Sequence, residues 1–177
     1  MKNLFSVKGK VALVTGGSRG IGEMIAAGYL ANEAKVYISS RKAETCDATA
    51  ERLSKEYEGN CISIPADLSN LDGIAALVSK IKEDEGSLDI LVNNAGASWG
   101  EPIEEYSEKG WDKVMDTNVK GVFFLTQKLL PLLKASGNAE DPARVINIGS
   151  IDGIKTGLFD AFSYGPSKAA LHHLTRV

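Results

Sequence analysis

The stretch KVALVTGGSRGIG, Lys10 to Gly22, decides how the rest of the sequence is read. Val11 to Val14 form a short apolar run of the kind buried on both faces of a parallel sheet. Gly16, Gly17 and Gly20 then remove side chains where a chain turns tightly and a ligand can approach the backbone. Gly20-Ile21-Gly22 opens a helix whose apolar face is expected at Ile21, Met24, Ile25 and Gly28-Tyr29. A strand, a glycine turn and a helix amino end converge unpaired N–H groups and the helix dipole on one spot, which suits an anion. The spacing is T-G-x-x-x-G-x-G and not G-x-G-x-x-G. On this stretch alone, a tight strand-to-helix turn without a ligand stays open.

Outward from it, strand and helix patterns alternate. Lys35 to Ser39 reads as a second strand and Ala43 to about Tyr57 as a helix; Cys61 to Ile64 is a third strand, stopped by Pro65. Ser69 is the expected N-cap of the next helix, with Asp72 completing an approximate capping box and Ile74, Leu77, Val78 and Ile81 forming its buried stripe. Leu88 to Val92 is a fourth strand, and a long helical region is expected from about Ser107 to Leu133, with Pro131 bending its last turn. Val145 to Ile148 is a fifth strand. A last helix begins near Ser163 and is expected to run on to Val177. With no hairpin signal between strands, the reading is one α/β domain over residues 1–177, a doubly wound parallel sheet with right-handed crossovers.

Composition excludes several function classes. Hydrophobic residues at 44%, charged residues at 24% and a net charge of −3 describe an ordinary globular chain, with no basic block for nucleic acid or an anionic membrane. No stretch reaches membrane-spanning length and the amino end is too weakly apolar for a secretory signal, so the expected compartment is cytoplasmic. Cys46 and Cys61 have no metal or redox spacing and read as buried thiols. His172 and His173 are adjacent, which does not make a helical metal pair, so no metal site and no chemistry is assigned to them.

In a doubly wound sheet, ligands bind outside the carboxyl ends of the strands. Each strand here is followed by residues that could face that crevice. Ser39-Ser40-Arg41 follows the second strand with no acid among them, and Arg19 stands in the glycine turn beside Ser18. An acid at that strand end would hold the ribose hydroxyls of NAD; two arginines without one favour the 2′-phosphate of NADP, which a guanidinium binds through charge-assisted hydrogen bonds. Asp67-Leu68 follows the third strand, and Asp67 reads equally as a turn residue ahead of Ser69. Asn93-Asn94-Ala95-Gly96 follows the fourth; its amides can bond free backbone groups at the strand end, while Gly96 lets backbone near a ligand. Ser150 follows the fifth, in INIGS. Tyr164 and Lys168 come next, at i and i+4 on one helix face, where an ammonium favours the phenolate and equips the phenol for proton transfer to a carbonyl.

The order of glycine turn, N-N-A-G, Ser150 and Tyr164-x-x-x-Lys168 resembles the short-chain dehydrogenase/reductase family, from Gly9 to Val177. The resemblance implies the strand order 3-2-1-4-5, five of the family's usual seven strands, and hydride transfer between a nicotinamide and a carbonyl or alcohol. It makes Tyr164 the general acid/base, gives Lys168 a double role on Tyr164 and the nicotinamide ribose, and sets Ser150 on the substrate oxygen. Asn118, in MDTNVKG, corresponds to the family asparagine that helps hold a water in the proton relay. Cofactor contacts are implied for Gly16, Ser18, Arg19, Gly20, Ile21, Gly22, Ser40, Arg41, Asp67 (on the adenine amino group), Leu68, Asn94, Ala95, Gly96, Tyr164 and Lys168, with NADP(H) as cofactor. GGSRGIG, NNAGASWG, ARVINIGS and YGPSKAALH are similar to the family's NADPH-dependent 3-oxoacyl reductases. Trp99, Ile151 to Ile154, Phe159 and Phe162 form an apolar set for the substrate side, which core packing would explain equally well.

Family members are longer, so the resemblance also implies a C-terminal part, with two strands and a substrate lid, beyond Val177. The expectation is that the 177-residue chain binds NADPH weakly and does not turn over. Apolar residues Phe123, Phe124, Leu125, Leu129 and Leu130 exceed one stripe, and in the family the two last helices pack against a partner, implying a homodimer or homotetramer. Two other readings stay open: a nucleotide-binding or interaction module without turnover, and a methyltransferase, in which Tyr164, Lys168 and Ser150 would have no evident task.

Overall fold

The computed structural model describes residues 5–157 and 160–177. Its apolar runs become five parallel strands, β1 (Val11–Thr15), β2 (Lys35–Ser39), β3 (Cys61–Ser63), β4 (Ile90–Asn93) and β5 (Arg144–Asn147), ordered β3-β2-β1-β4-β5. Helices α1 (Gly20–Ala31), α2 (Ala43–Glu56), α3 (Leu71–Asp84), α4 (Glu108–Met115) and α5 (Gly121–Ser136) fill the crossovers, and α6 (Tyr164–Leu174) follows β5. The order reverses between β1 and β4, which places a crevice at their carboxyl ends.

The pleat explains the two cores. Leu13, Tyr37 and Leu91 point to the face covered by α3 and α5, where Ile74, Leu77, Ile81, Leu125 and Leu129 meet them. Their strand neighbours Ala12, Val14, Val36, Ile38, Ile90 and Val92 point to the other face, against Ala26, Leu30, Cys46, Ala50 and Leu53 of α1 and α2. Both thiols are buried there, and burial pushes the Cys61 thiol up to about 12. β5 pairs on one side only and leaves Val145 and Ile146 about two-fifths exposed.

Three local expectations change. The apolar face of α1 is Gly22, Ala26 and Leu30; Ile21 and Met24, at 63% and 72% exposure, point to solvent because the small residues are what allow α1 to lie close on β1. The cap of α3 is Asn70, whose Oδ1 accepts from the Gly73 amide at 2.8 Å, while Ser69 bonds the Asp67 carboxylate instead. The long helical region runs on as expected, with Asp116–Lys120 a π-helical turn between α4 and α5. Finally, α6 ends at Leu174, where Thr175 turns its hydroxyl back onto the Leu171 carbonyl.

At the amino ends of the strands, Asp89 stitches three of them together. Its Oδ2 accepts from the Val11 amide at 2.8 Å, its carbonyl accepts from the Arg144 amide, and its Oδ1 takes Lys10 Nζ at 2.9 Å and the Ser136 hydroxyl. Burial by itself would push the Asp89 carboxyl up, but the Ser136, Val11 and Lys10 bonds outweigh it and hold it below the usual carboxylate range. Lys10, bonded also to Asp141, is raised. A carboxylate with a lowered folded pKa stabilises above its unfolded value and loses that contribution as pH falls through the folded one. Asp89→Asn is therefore expected to cost about 2 kcal/mol near neutral pH and to flatten the acid limb of stability against pH. Urea titrations from neutral pH down to acid check this; an unchanged acid limb would contradict it.

Candidate active site

The site is built from the ends of β1 and β4. Thr15 Oγ1 accepts from the Asn94 and Ala95 amides, each at 3.0 Å, and donates to the Val92 carbonyl at 3.2 Å. Asn94 Nδ2 returns to the Thr15 and Gly16 carbonyls at 2.9 and 3.3 Å. These bonds satisfy backbone groups that the strands leave orphaned where they part. Gly16 adopts φ +67° and Gly20 φ +57°, so the turn between β1 and α1 uses backbone that side-chain-bearing residues avoid. Gly22 has a different task. A Cβ there would run into the Gly16 carbonyl and Asn94 Nδ2, so Gly22 sets the approach of α1 rather than lining the site.

A cleft of about 370 Å³ opens above this clasp. It brings together Gly16, Ser18, Arg19, Ser40, Arg41, Asp67, Leu68, Asn94, Ala95 and Gly96 from four separate strand ends. Gly20, Ile21, Gly22, Tyr164 and Lys168 do not line it. Lys42, Thr45 and Thr117 do, and the sequence reading missed them. Lys42 and Thr45 belong to the start of α2, which folds against the glycine turn through the Thr49 hydroxyl on the Ser18 carbonyl. That bond joins residues far apart in sequence and leaves no local pattern.

Chemically, one end of the cleft is cationic. Arg19, Arg41 and Lys42 supply cations, and Asp67 is the carboxylate among the described lining residues. Its Oδ1 accepts from the Ser69 amide and hydroxyl at 3.0 and 2.8 Å, the turn role weighed from sequence. Arg19 occupies the N-cap position of α1 and provides no side-chain cap, so the first amides of that helix are left for an outside acceptor. The buried Ser39 and Ser40 hydroxyl oxygens have no hydrogen-bond partner among the described residues, although buried hydroxyls are ordinarily bonded. Ser40 lies in the cleft wall beside Arg41. Among the described residues no group of three or more His, Cys, Asp or Glu could hold a metal ion.

Gly96 connects the cleft to the second half of the site. A Cβ at Gly96 would stand 3.5 Å from Asn118 Oδ1 and 3.8 Å from Lys168 Nζ. Lys168 is only 5% exposed; its ammonium donates to the Ile148 carbonyl at 2.7 Å and lies 5.8 Å from the Tyr164 ring centre. Burial pushes the Lys168 ammonium below its ordinary range. Asn118 sits in the π turn and makes three side-chain bonds: Oδ1 accepts from the Ala97 amide at 2.8 Å, and Nδ2 donates to the Ala97 carbonyl and Ser167 Oγ, both at 2.9 Å. Ser167 Oγ in turn donates to the Tyr164 carbonyl at 2.7 Å. The π turn, a feature that often marks functional sites, is what aims Asn118 inward, and the hydrophobic period of the sequence does not reveal it.

Ser150 caps the short turn Ile151–Gly153 by accepting from the Asp152 amide at 3.2 Å, which leaves its hydroxyl hydrogen to donate elsewhere. Its own amide donates to His172 Nε2 at 3.4 Å, so His172, given no role from sequence, supports the Ser150 turn from α6. Ile151, Ile154 and Phe162 are exposed at 61%, 75% and 38%, as an apolar approach to the site would be. The Trp99 ring packs on Gly110, where a Cβ would overlap it, with Lys113 Nζ 4.4 Å from the ring centre, in line with the packing alternative. Phe159 lies outside the described residues.

Comparison with known proteins agrees with this geometry. A family model described as short chain dehydrogenase matches residues 10–177. The chain is 55% identical over 177 residues to a rhamnolipids biosynthesis 3-oxoacyl-[acyl-carrier-protein] reductase of Pseudomonas aeruginosa, covering 100% of this chain and 68% of that protein. It is 37% identical over 175 residues to a 2-dehydro-3-deoxy-D-gluconate 5-dehydrogenase of Dickeya dadantii, covering 99% of this chain and 66% of that one. Among solved structures, the Pseudomonas aeruginosa RhlG/NADP active-site complex superposes with a TM-score of 0.94 at 56% identity, over 99% of this chain and 68% of that chain. The chain thus spans about two thirds of the length of these relatives.

The contrast between Gly20 and Gly22 is testable. With nothing within 4 Å of its Cβ position, Gly20→Ala pays only for the positive φ, about 1–2 kcal/mol. Gly22→Ala forces a methyl onto backbone and is expected to cost about 3 kcal/mol or more. Denaturant midpoints of the two variants decide it, and a smaller loss at Gly22 would contradict the packing role.

Proposed function

The chain belongs to the short-chain dehydrogenase family, and from that premise we propose that it carries an NADP(H)-dependent oxidoreductase site transferring hydride between nicotinamide and a carbonyl or alcohol. The observation that carries the reading is the joining of two half-sites at Gly96: an anion-binding cleft on one side and the Lys168–Tyr164 pair on the other. The Ser40 hydroxyl, unpartnered among the described residues, and Arg41 in the same cleft wall support a 2′-phosphate there, and Arg19 and Lys42 add charge to the cleft. Gly16, Ser18, Gly20, Ile21 and the α1 amino end would hold the pyrophosphate, Asp67 and Leu68 the adenine, and Asn94, Ala95 and Gly96 the neighbouring ribose. Residues 1–177 are read as one cofactor-binding domain of a cytoplasmic protein.

Bound NADPH supplies the hydride. The chain's own residues handle the proton and the geometry. Tyr164 gives its phenolic proton to the carbonyl oxygen and takes it back in the reverse reaction, while the Ser150 hydroxyl donates to that oxygen and orients it. Lys168, held by the Ile148 carbonyl, is fixed one helical turn from the phenol, where its ammonium favours negative charge on the phenolic oxygen. Asn118 holds the loop after β4 against α6, keeping Gly96 and Lys168 in register. Similarity to the 3-oxoacyl-[acyl-carrier-protein] reductase, together with exposed Ile151, Ile154 and Phe162, supports a 3-oxoacyl thioester as substrate. Trp111, Phe123 and Leu130, each more than two-fifths exposed on α4 and α5, support assembly of a homodimer or homotetramer through those helices.

Replacing Arg19 and Arg41 with Ala is expected to weaken NADPH binding by roughly tenfold or more while changing NADH binding little, since only the former has the phosphate those arginines would bind. Calorimetric titration with each dinucleotide tests this, and equal losses would refute the 2′-phosphate assignment. Tyr164→Phe removes one hydroxyl, so NADPH binding is expected to survive and any NADPH oxidation with a 3-oxoacyl thioester to be lost. Unaltered turnover in that variant would refute the role of Tyr164.

A further inference from the structure

We propose that Tyr106 is a positioning residue for Tyr164, fixing the start of α6 through Ser163; this rests on the reading of Tyr164 as the proton donor. Tyr106 follows a short helical turn, Ile103–Glu105, just ahead of α4. Its phenolic oxygen lies 2.7 Å from Ser163 Oγ and 3.0 Å from the Trp99 carbonyl, and it accepts the Ser163 amide at 3.4 Å. The proton order follows from the partners. The carbonyl can only accept, so Tyr106 donates to Trp99, and the Ser163 hydroxyl must donate to Tyr106.

Ser163 occupies the N-cap position of α6, where a serine ordinarily accepts from the first turn of its helix. Here it makes no such bond. Its side chain is wholly buried and turned to Tyr106, so a local stabilising contact is given up for a long-range one immediately before Tyr164. Two more contacts close the same seam: the Tyr106 and Phe162 rings meet edge-on at 5.6 Å and 82°, and the Glu101 amide donates to the Asp160 carbonyl at 3.2 Å. Trp99, the other anchor of Tyr106, is itself fixed by packing against Gly110. The segment after β4 thereby locates the amino end of α6, and a displacement there moves Tyr164 directly. Errors of about 1 Å in placing a reacting group can cost roughly a hundredfold in rate.

The test uses the isotopically labelled chain with Tyr106→Phe, Ser163→Ala and both together. Amide hydrogen exchange at positions 163 and 164 is expected to speed up about tenfold or more in each single variant, with no further gain in the double, while Leu13 and Leu91 stay within roughly twofold. The ring-carbon resonances of Tyr164 should shift or broaden in the same variants. Where the unsubstituted chain reduces a carbonyl compound, kcat is expected to fall about tenfold with KM nearly constant. Unchanged exchange and unchanged Tyr164 resonances, or equal acceleration at Leu13 and Leu91, would overturn the proposal. Should Tyr106→Phe fail to fold, Ser163→Ala alone carries the same expectation. The exchange and resonance measurements need no turnover, so an inactive chain would count against the proposed reaction and leave this result decisive.

Discussion

The clasp between Thr15 and Asn94 is the constraint on which the rest of the molecule depends. Parallel strands that part company leave amide and carbonyl groups without partners, and buried groups of that kind cost about 1–3 kcal/mol each when unbonded. Here one hydroxyl and one carboxamide satisfy them across the point where strand order reverses. The two strand ends are held together while the space above stays open. Asp89 does the complementary work at the other end of the same strands, binding Val11 and Arg144. With both ends tied, β1 and β4 become a rigid base from which the glycine turn and the loop after β4 project into one cleft.

From that base the site's two halves acquire different physical characters. The cleft end at Arg19, Arg41 and Lys42 is solvent-facing and cationic, as suits an anion bound reversibly. At the other end Lys168 is buried beside a half-buried Tyr164: its ammonium is kept inside with one carbonyl bond and is pushed toward its neutral form by burial. Asn118 spans the halves, reading the backbone of Ala97 on one side and Ser167 on the other. A group so placed cannot move without moving both.

Much of this was legible in the sequence because it is written locally. The glycine turn, the buried stripe of α3, the N-N-A-G run and the i,i+4 spacing of Tyr164 and Lys168 each depend on residues close together in the chain. Strand order was not legible from periodicity and came only with the family resemblance. What escaped reading depends on distant pairs or near-equivalent local choices. Ser69 and Asn70 are adjacent and both able to cap, and the Asp67 carboxylate decided between them. Ile21 and Met24 look like a helix's buried side until the close approach demanded at Gly22 turns the small residues inward. Lys42, Thr45 and His172 reach the site through folds of the chain that leave no spacing to detect.

The central claim is that one continuous site runs from the Arg41 end of the cleft, past Gly96, to Tyr164. A nitrogen–proton NMR titration of the labelled 177-residue chain with NADPH tests it most directly. The account predicts progressive shifts at Gly16 to Gly20, at Ser40 to Lys42, at Gly96 and at Lys168, with little change in the Gly137 to Ala143 loop at the opposite end of the sheet. Shifts confined to that loop, or to one half of the site with the other silent at saturation, would contradict it.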